Sequence, residues 1–150
     1  MRTLLWDDRY SIGIKSIDDD HMKFFELIGL LDCMENYEEV LVESCFNVLT
    51  EYVHGHFHRE ELAMEKSKLI PEVERINHKK QHDAFKETLM DVISEYDGGN
   101  LSIVDKMPKM VVDWLINHIT KEDIKSKNWL LPEHVDGSSL AGLSMKCMRK

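Results

Sequence analysis

Within residues 52–85, YVHGHFHREELAMEKSKLIPEVERINHKKQHDAF, imidazoles and a carboxylate recur four residues apart on runs whose apolar residues keep a helical period. Residues four apart share a helix face, so His56 pairs with Glu60 and His78 with His82. Each pair could hold one metal ion between successive turns. Two such helices side by side would make a site.

His54 and His58 are also four apart, so the inward face must be chosen. Stepping back from Glu60 meets His56, Val53, Leu49, Phe46 and Val42, an apolar stripe of the kind that packs against a core. Stepping back from His58 meets His54, Glu51, Thr50 and Asn47, a solvated face. His56 and Glu60 therefore point inward, where a carboxylate is costly unless it is paired or binds metal. His78 and His82 continue into Phe85, Leu89, Val92 and Tyr96, and His21 lies in line with Phe24, Phe25, Ile28 and Leu31. A further stripe, Met107, Val111, Trp114 and Leu115, ends at His118. One histidine on a core stripe is ordinarily a hydrogen-bonded core residue. Five of them with a glutamate, on four stripes, are not explained by packing.

The chain has 150 residues, enough for one domain with a substantial core. Its 28 acidic and 19 basic residues argue against nucleic acid or an anionic membrane as partner. With 7 glycines, 3 prolines and helical periodicity nearly throughout, an all-α, up-down-up-down four-helix bundle is expected. Cys33, Cys45 and Cys147 lack C-x-x-C spacing and read as free thiols. No run approaches a membrane span, and a cytoplasmic protein is expected.

Residues 1–17 are too apolar for a free tail and read as an ordered arm packed on the bundle. Asp18 suits an N-cap, and the first helix is expected over 18–34. The second is expected over 38–66 and the third from Pro71 to Tyr96. The fourth starts near Ser102 or, if Pro108 breaks it, at that proline. Residues 1–131 then form one bundle domain, and 132–150 a C-terminal tail. Beyond His118, regular helix geometry favours Glu122 as the next inward acid, because the five residues to Asp123 add 500°. Spacing alone leaves the choice open. Five histidines with two carboxylates exceed one tetrahedral zinc, and imidazole suits Zn, Cu, Fe and Ni, so two metals are implied.

The segments WDDRYSIGIKSIDDDH, HFHREE, HKKQH and WLINHITKED, in this order, resemble the bacterial hemerythrins, in the family of hemerythrin and myohemerythrin. The resemblance implies reversible dioxygen binding at a non-haem di-iron centre, for carriage, storage or delivery, rather than enzymatic turnover. It takes Asp123 as the acid, through the family's H-x-x-x-x-D spacing. It assigns His78, His82 and His118 to one iron and His21 and His56 to the other. Glu60, Asp123 and an oxo or hydroxo group bridge the two irons, and one position is left open for dioxygen. By the same resemblance Leu115 lies over that position with Ile119 close by, and Trp114 also flanks His118 in the oxygen pocket. Other uses of such a centre are an O2 or redox sensor, or a di-iron oxidase or scavenger of peroxide or nitric oxide. The partner implied is dioxygen, and the protein is expected to be a monomer.

Overall fold

A computed structural model describes residues 6–32 and 39–134, with some side chains inside the helices left out. Four long helices carry the chain: α1 (Lys15–Asp32), α2 (Glu39–Lys66), α3 (Glu72–Asp97) and α4 (Ile103–Asn117). A π-helical segment, His118–Asp123, extends α4 into a single short turn, α5 (Ile124–Ser126). Among the described residues there is no strand. Helices α1 and α3 each pack on both α2 and α4, so the four enclose a common interior. No helix among the described residues is long and apolar enough to cross a membrane. The expected tail falls almost wholly outside the described residues, as do Cys33, Cys147 and the side chains of Ile28 and Leu31.

Helix α1 begins three residues before Asp18, which is therefore a first-turn acid and not the N-cap expected from sequence. Its carboxylate turns back, accepting the Ile12 amide at 2.9 Å and the Ser11 hydroxyl at 2.6 Å. These bonds hold the preceding segment against the helix start, where a negative charge is favoured. Gly13, at φ 81, makes the turn between the two. Ile12 and Ile14 are buried, and Trp6 and Tyr10 pack on Phe25 with ring centroids 5.6 and 5.5 Å away.

Pro71 sits in extended conformation as the residue before α3, and Gly99, at φ 99, turns the chain after it. Helix α4 starts at Ile103 and continues through Pro108, so the proline does not set its beginning.

The apolar interior falls into two clusters. The larger contains Phe24, Phe46, Phe57, Phe85, Leu89, Val111, Leu115 and Ile119. The smaller contains Ile12, Ile14, Ile17, Ala63, Met64 and Leu130. His21 lies between Ile17 and Phe24 along α1, and Glu60 between Phe57 and Ala63 along α2. Asp123 lies between Ile119 and Leu130. A buried polar layer is thus flanked by apolar layers on both sides.

Candidate metal centre

Each helix brings its polar residues to this layer through the stripes seen in the sequence. His21 comes from α1, His56 and Glu60 from α2, and His78 and His82 from α3. His118 and Asp123 are the first and last residues of the π-helical segment. In a π turn the hydrogen bonds run from i to i+5 and widen the helix, which brings a residue five along back toward the face of the first. Asp123 therefore points inward and is fully buried, whereas Glu122 is half-buried and lines an outer cleft with Gln81, Trp114 and His118. The Thr120 hydroxyl donates to the Ile116 carbonyl at 2.6 Å and the Ser126 hydroxyl to the Asp123 carbonyl at 2.5 Å, supporting the widened turn on both sides. His54 and His58 lie exposed on the opposite face of α2.

The Asp123 carboxylate spans the layer. One oxygen, Oδ1, lies 3.1 Å from Nε2 of both His78 and His118, and the other, Oδ2, lies 3.0 Å from Nε2 of His21. Glu60 spans it too, with Oε1 3.3 Å from Nε2 of both His56 and His82, and Oε2 3.8 Å from Nε2 of His21. The donor atoms form two overlapping groups: Glu60, His78, His82, His118 and Asp123, and His21, His56, Glu60 and Asp123. Both carboxylates belong to both groups.

The arrangement suits cations. Both oxygens of Glu60 and of Asp123, Nε2 of His78 and both ring nitrogens of His21 are buried close together without hydrogen-bond alignment. Such groups are costly to bury unless something binds them. Nδ1–H of His82 donates to Glu61 at 2.9 Å and Nδ1–H of His118 to Gln81 at 3.0 Å. With Nδ1 as donor, each neutral ring turns a lone pair inward at Nε2, and those two nitrogens are 3.0 Å apart. A cation between them would resolve the contact.

The model of the hemerythrin HHE cation binding domain matches residues 12–130, a span that holds all seven inward groups. The chain belongs to the hemerythrin family. It is 30% identical over 124 residues to a bacteriohemerythrin of Pseudomonas paraeruginosa, covering 82% of this chain and 78% of that one. A hemerythrin-like protein of Naegleria gruberi is 29% identical over 125 residues, covering 83% and 92% of the two chains. A bacteriohemerythrin of Clostridium acetobutylicum is 28% identical over 130 residues, covering 79% and 95%.

In this hemerythrin domain protons stand in for metal charge when no metal is bound. Burial alone would push the His21 proton off, but Asp123 and Glu60 hold it, raising the pKa to about 10. His78 is raised to about 10 by the same carboxylates against the same penalty. Burial opposes ionisation of Glu60 as well, but His56, His21 and His78 hold it well below the usual carboxylate range. Asp123 is also held low: burial and Glu60 oppose its charge, and His118 and His21 prevail. His118 is shifted downward, chiefly by burial.

These shifts set a pH dependence for the metal-free chain. The raised His21 and His78 contribute stability that is complete below the unfolded histidine value of 6.5 and lost as pH rises through about 10. The depressed carboxylates contribute stability present above their unfolded values of 4.5 and 3.8 and lost as pH falls through their lower folded values. With a chelator present, the urea midpoint should fall between neutral pH and about pH 10. Metal binding requires deprotonated rings, so the loaded chain should fall less over that interval. Equal pH dependence in both forms would contradict this.

Sequence reasoning missed the groups behind the rings. Asp20 accepts from Nδ1 of His56 at 2.9 Å and from Arg59, while Glu61 and Gln81 serve His82 and His118. The available signal was adjacency: each partner of a ring follows or precedes an inward residue by one position. Rings also stack here, with Phe57 3.8 Å from His82 and Trp114 4.4 Å from His118 between centroids. Leu115 and Ile119 are buried in the larger apolar cluster, and Trp114 is packed at its edge.

Proposed function

We propose that this hemerythrin domain binds dioxygen reversibly at two non-haem iron ions, for carriage, storage or delivery, and is not an enzyme. The observation that carries the reading is one buried donor set that divides into two unequal groups sharing two carboxylates. In this assignment His78, His82 and His118 would hold one iron and His21 and His56 the other, with Glu60 and Asp123 available to both. A pair of ferrous ions supplies the two electrons that dioxygen takes up and returns. The two-histidine group has one ligand fewer, and that is where dioxygen would enter.

The chain's own residues do the rest. The five rings offer nitrogen ligands, and Asp20, Glu61 and Gln81 keep three of them turned inward. The apolar layers above and below exclude water, with Leu115 and Ile119 assigned to the oxygen pocket. Trp114, assigned to the same pocket, stacks on His118. We further read the helices as running up, down, up and down, with residues before α1 as an arm, and the protein as a cytoplasmic monomer. Short connections after α2 and α3 and the burial of Ile12 and Ile14 support the fold part of this reading.

Metal analysis of protein purified without oxygen tests it. Two irons per chain are expected, and one zinc that iron does not displace would contradict the proposal. His54→Ala and His58→Ala should each keep both irons, because those rings are exposed, whereas His82→Ala should lose metal. Full iron content in His82→Ala would place the ligands on another face.

A further inference from the structure

Arg59 and Glu61 flank Glu60 on α2, and helix geometry turns them about 100° to either side of it. They serve opposite halves of the site. Glu61 reaches His82 directly, Oε2 to Nδ1 at 2.9 Å. Arg59 works one step further back: its guanidinium donates to Oδ2 of Asp20, the same oxygen that accepts Nδ1–H of His56 at 2.9 Å. The Asp20 side chain is fully buried and that of Arg59 is 12% exposed. A carboxylate so buried needs a counter-charge, and a guanidinium supplies one with fixed direction.

The other ring of the same group, His21, has no hydrogen-bond partner at Nδ1 among the described residues. His56 is thus the ring of the two-histidine group that is held from behind by side chains. Its support is an ion pair with a fully buried carboxylate, while behind His82 the Glu61 carboxylate is 17% exposed and pairs with the half-exposed Lys79 at 3.7 Å. The Arg59–Asp20 pair can orient His56 without adding net charge next to the site.

We propose that Arg59 is a positioning residue that acts through Asp20, fixing the His56 ring so that Nε2 faces Glu60 and the metal of the two-histidine group. The inference rests on the two-group assignment above, and the effect is confined to that group. Without Arg59 the Asp20 oxygen loses the guanidinium that directs it, and the His56 ring is held less firmly.

Two measurements on Arg59→Met and Arg59→Lys test this, with helical circular dichroism confirming the fold. In metal-free, nitrogen-15-labelled protein, the Nδ1–H of His56 should exchange with water at least about tenfold faster in Arg59→Met than in the parent. Arg59→Lys, which restores charge without the fork, should fall between them. Equal exchange in parent and Arg59→Met overturns the proposal. In titrations with cobalt(II) under argon, Arg59→Met should bind the second equivalent about 10–100-fold more weakly while the first is unchanged. Equal weakening of both equivalents also overturns it. If the parent itself takes up only one cobalt, the two-metal assignment fails, and proton exchange still decides whether Arg59 positions His56.

Discussion

Asp123→Ala is expected to abolish metal binding at both groups and to cost the metal-free chain about 3–5 kcal/mol, the range for removing one partner of a buried charged pair. Asp123 is fully buried, and its two oxygens face His21, His78 and His118 at 3.0, 3.1 and 3.1 Å. Glu60 is farther off, 3.8 Å from both His21 and His78. Removing Asp123 therefore takes away a shared metal ligand and the main support for the His21 and His78 protons. Those rings would then titrate well below about 10, and the loss of their charge limits the cost. Glu122→Ala is the matched control: its half-buried side chain lines the outer cleft, and it should keep its metal with stability changed by about 0.5 kcal/mol or less. Metal-to-chain ratios and urea unfolding of both variants check this. Metal retained in Asp123→Ala and lost in Glu122→Ala would mean that the helix stays regular past His118.

Leu115→Ala should still bind two irons yet lose its oxygenated form much faster than the parent. Leu115 is fully buried, three residues before His118, in the apolar cluster that closes one side of the polar layer. If Leu115 lies over the oxygen position as proposed, truncation leaves a space bordered by the site, and a cavity with polar partners can hold water where an all-apolar one stays dry. Water there would bring protons to the dioxygen position, and a wetter pocket favours oxidation of a ferrous centre over reversible binding. The truncation should also cost about 2–5 kcal/mol in stability, so decay must be compared well below the melting temperature. Azide should increase the difference, because a larger pocket admits it more readily. Decay at the parental rate would make Leu115 a packing residue only.

The stripes made much of the site legible. His56 and Glu60 were separated from His54 and His58 by what lies three and four residues behind them, because burial of Val53, Leu49 and Phe46 leaves no choice of face. Asp123 was another matter. A period of 3.6 residues favours Glu122, and only the π turn brings a residue five along into the layer. Hydrophobic patterning carries no signal for such a turn, and the family spacing was needed to favour Asp123.

The start of α1 was misplaced for a similar reason. An aspartate before a helical stripe reads as a cap, whereas Asp18 is already inside the first turn and bonds backward to Ile12 and Ser11. Asp20, Arg59, Glu61 and Gln81 look like solvated polar residues in the sequence. Their partners lie 21 to 39 residues away, and only packing brings them behind the rings.

The most direct test of the dioxygen reading is an absorption spectrum taken through one cycle. Protein loaded with ferrous iron under argon should be colourless, turn coloured on admission of air, and become colourless again when argon is restored, over repeated cycles. Steady consumption of dioxygen with added reductant, and no adduct that argon reverses, would contradict the account and make the same buried site that of an oxidase.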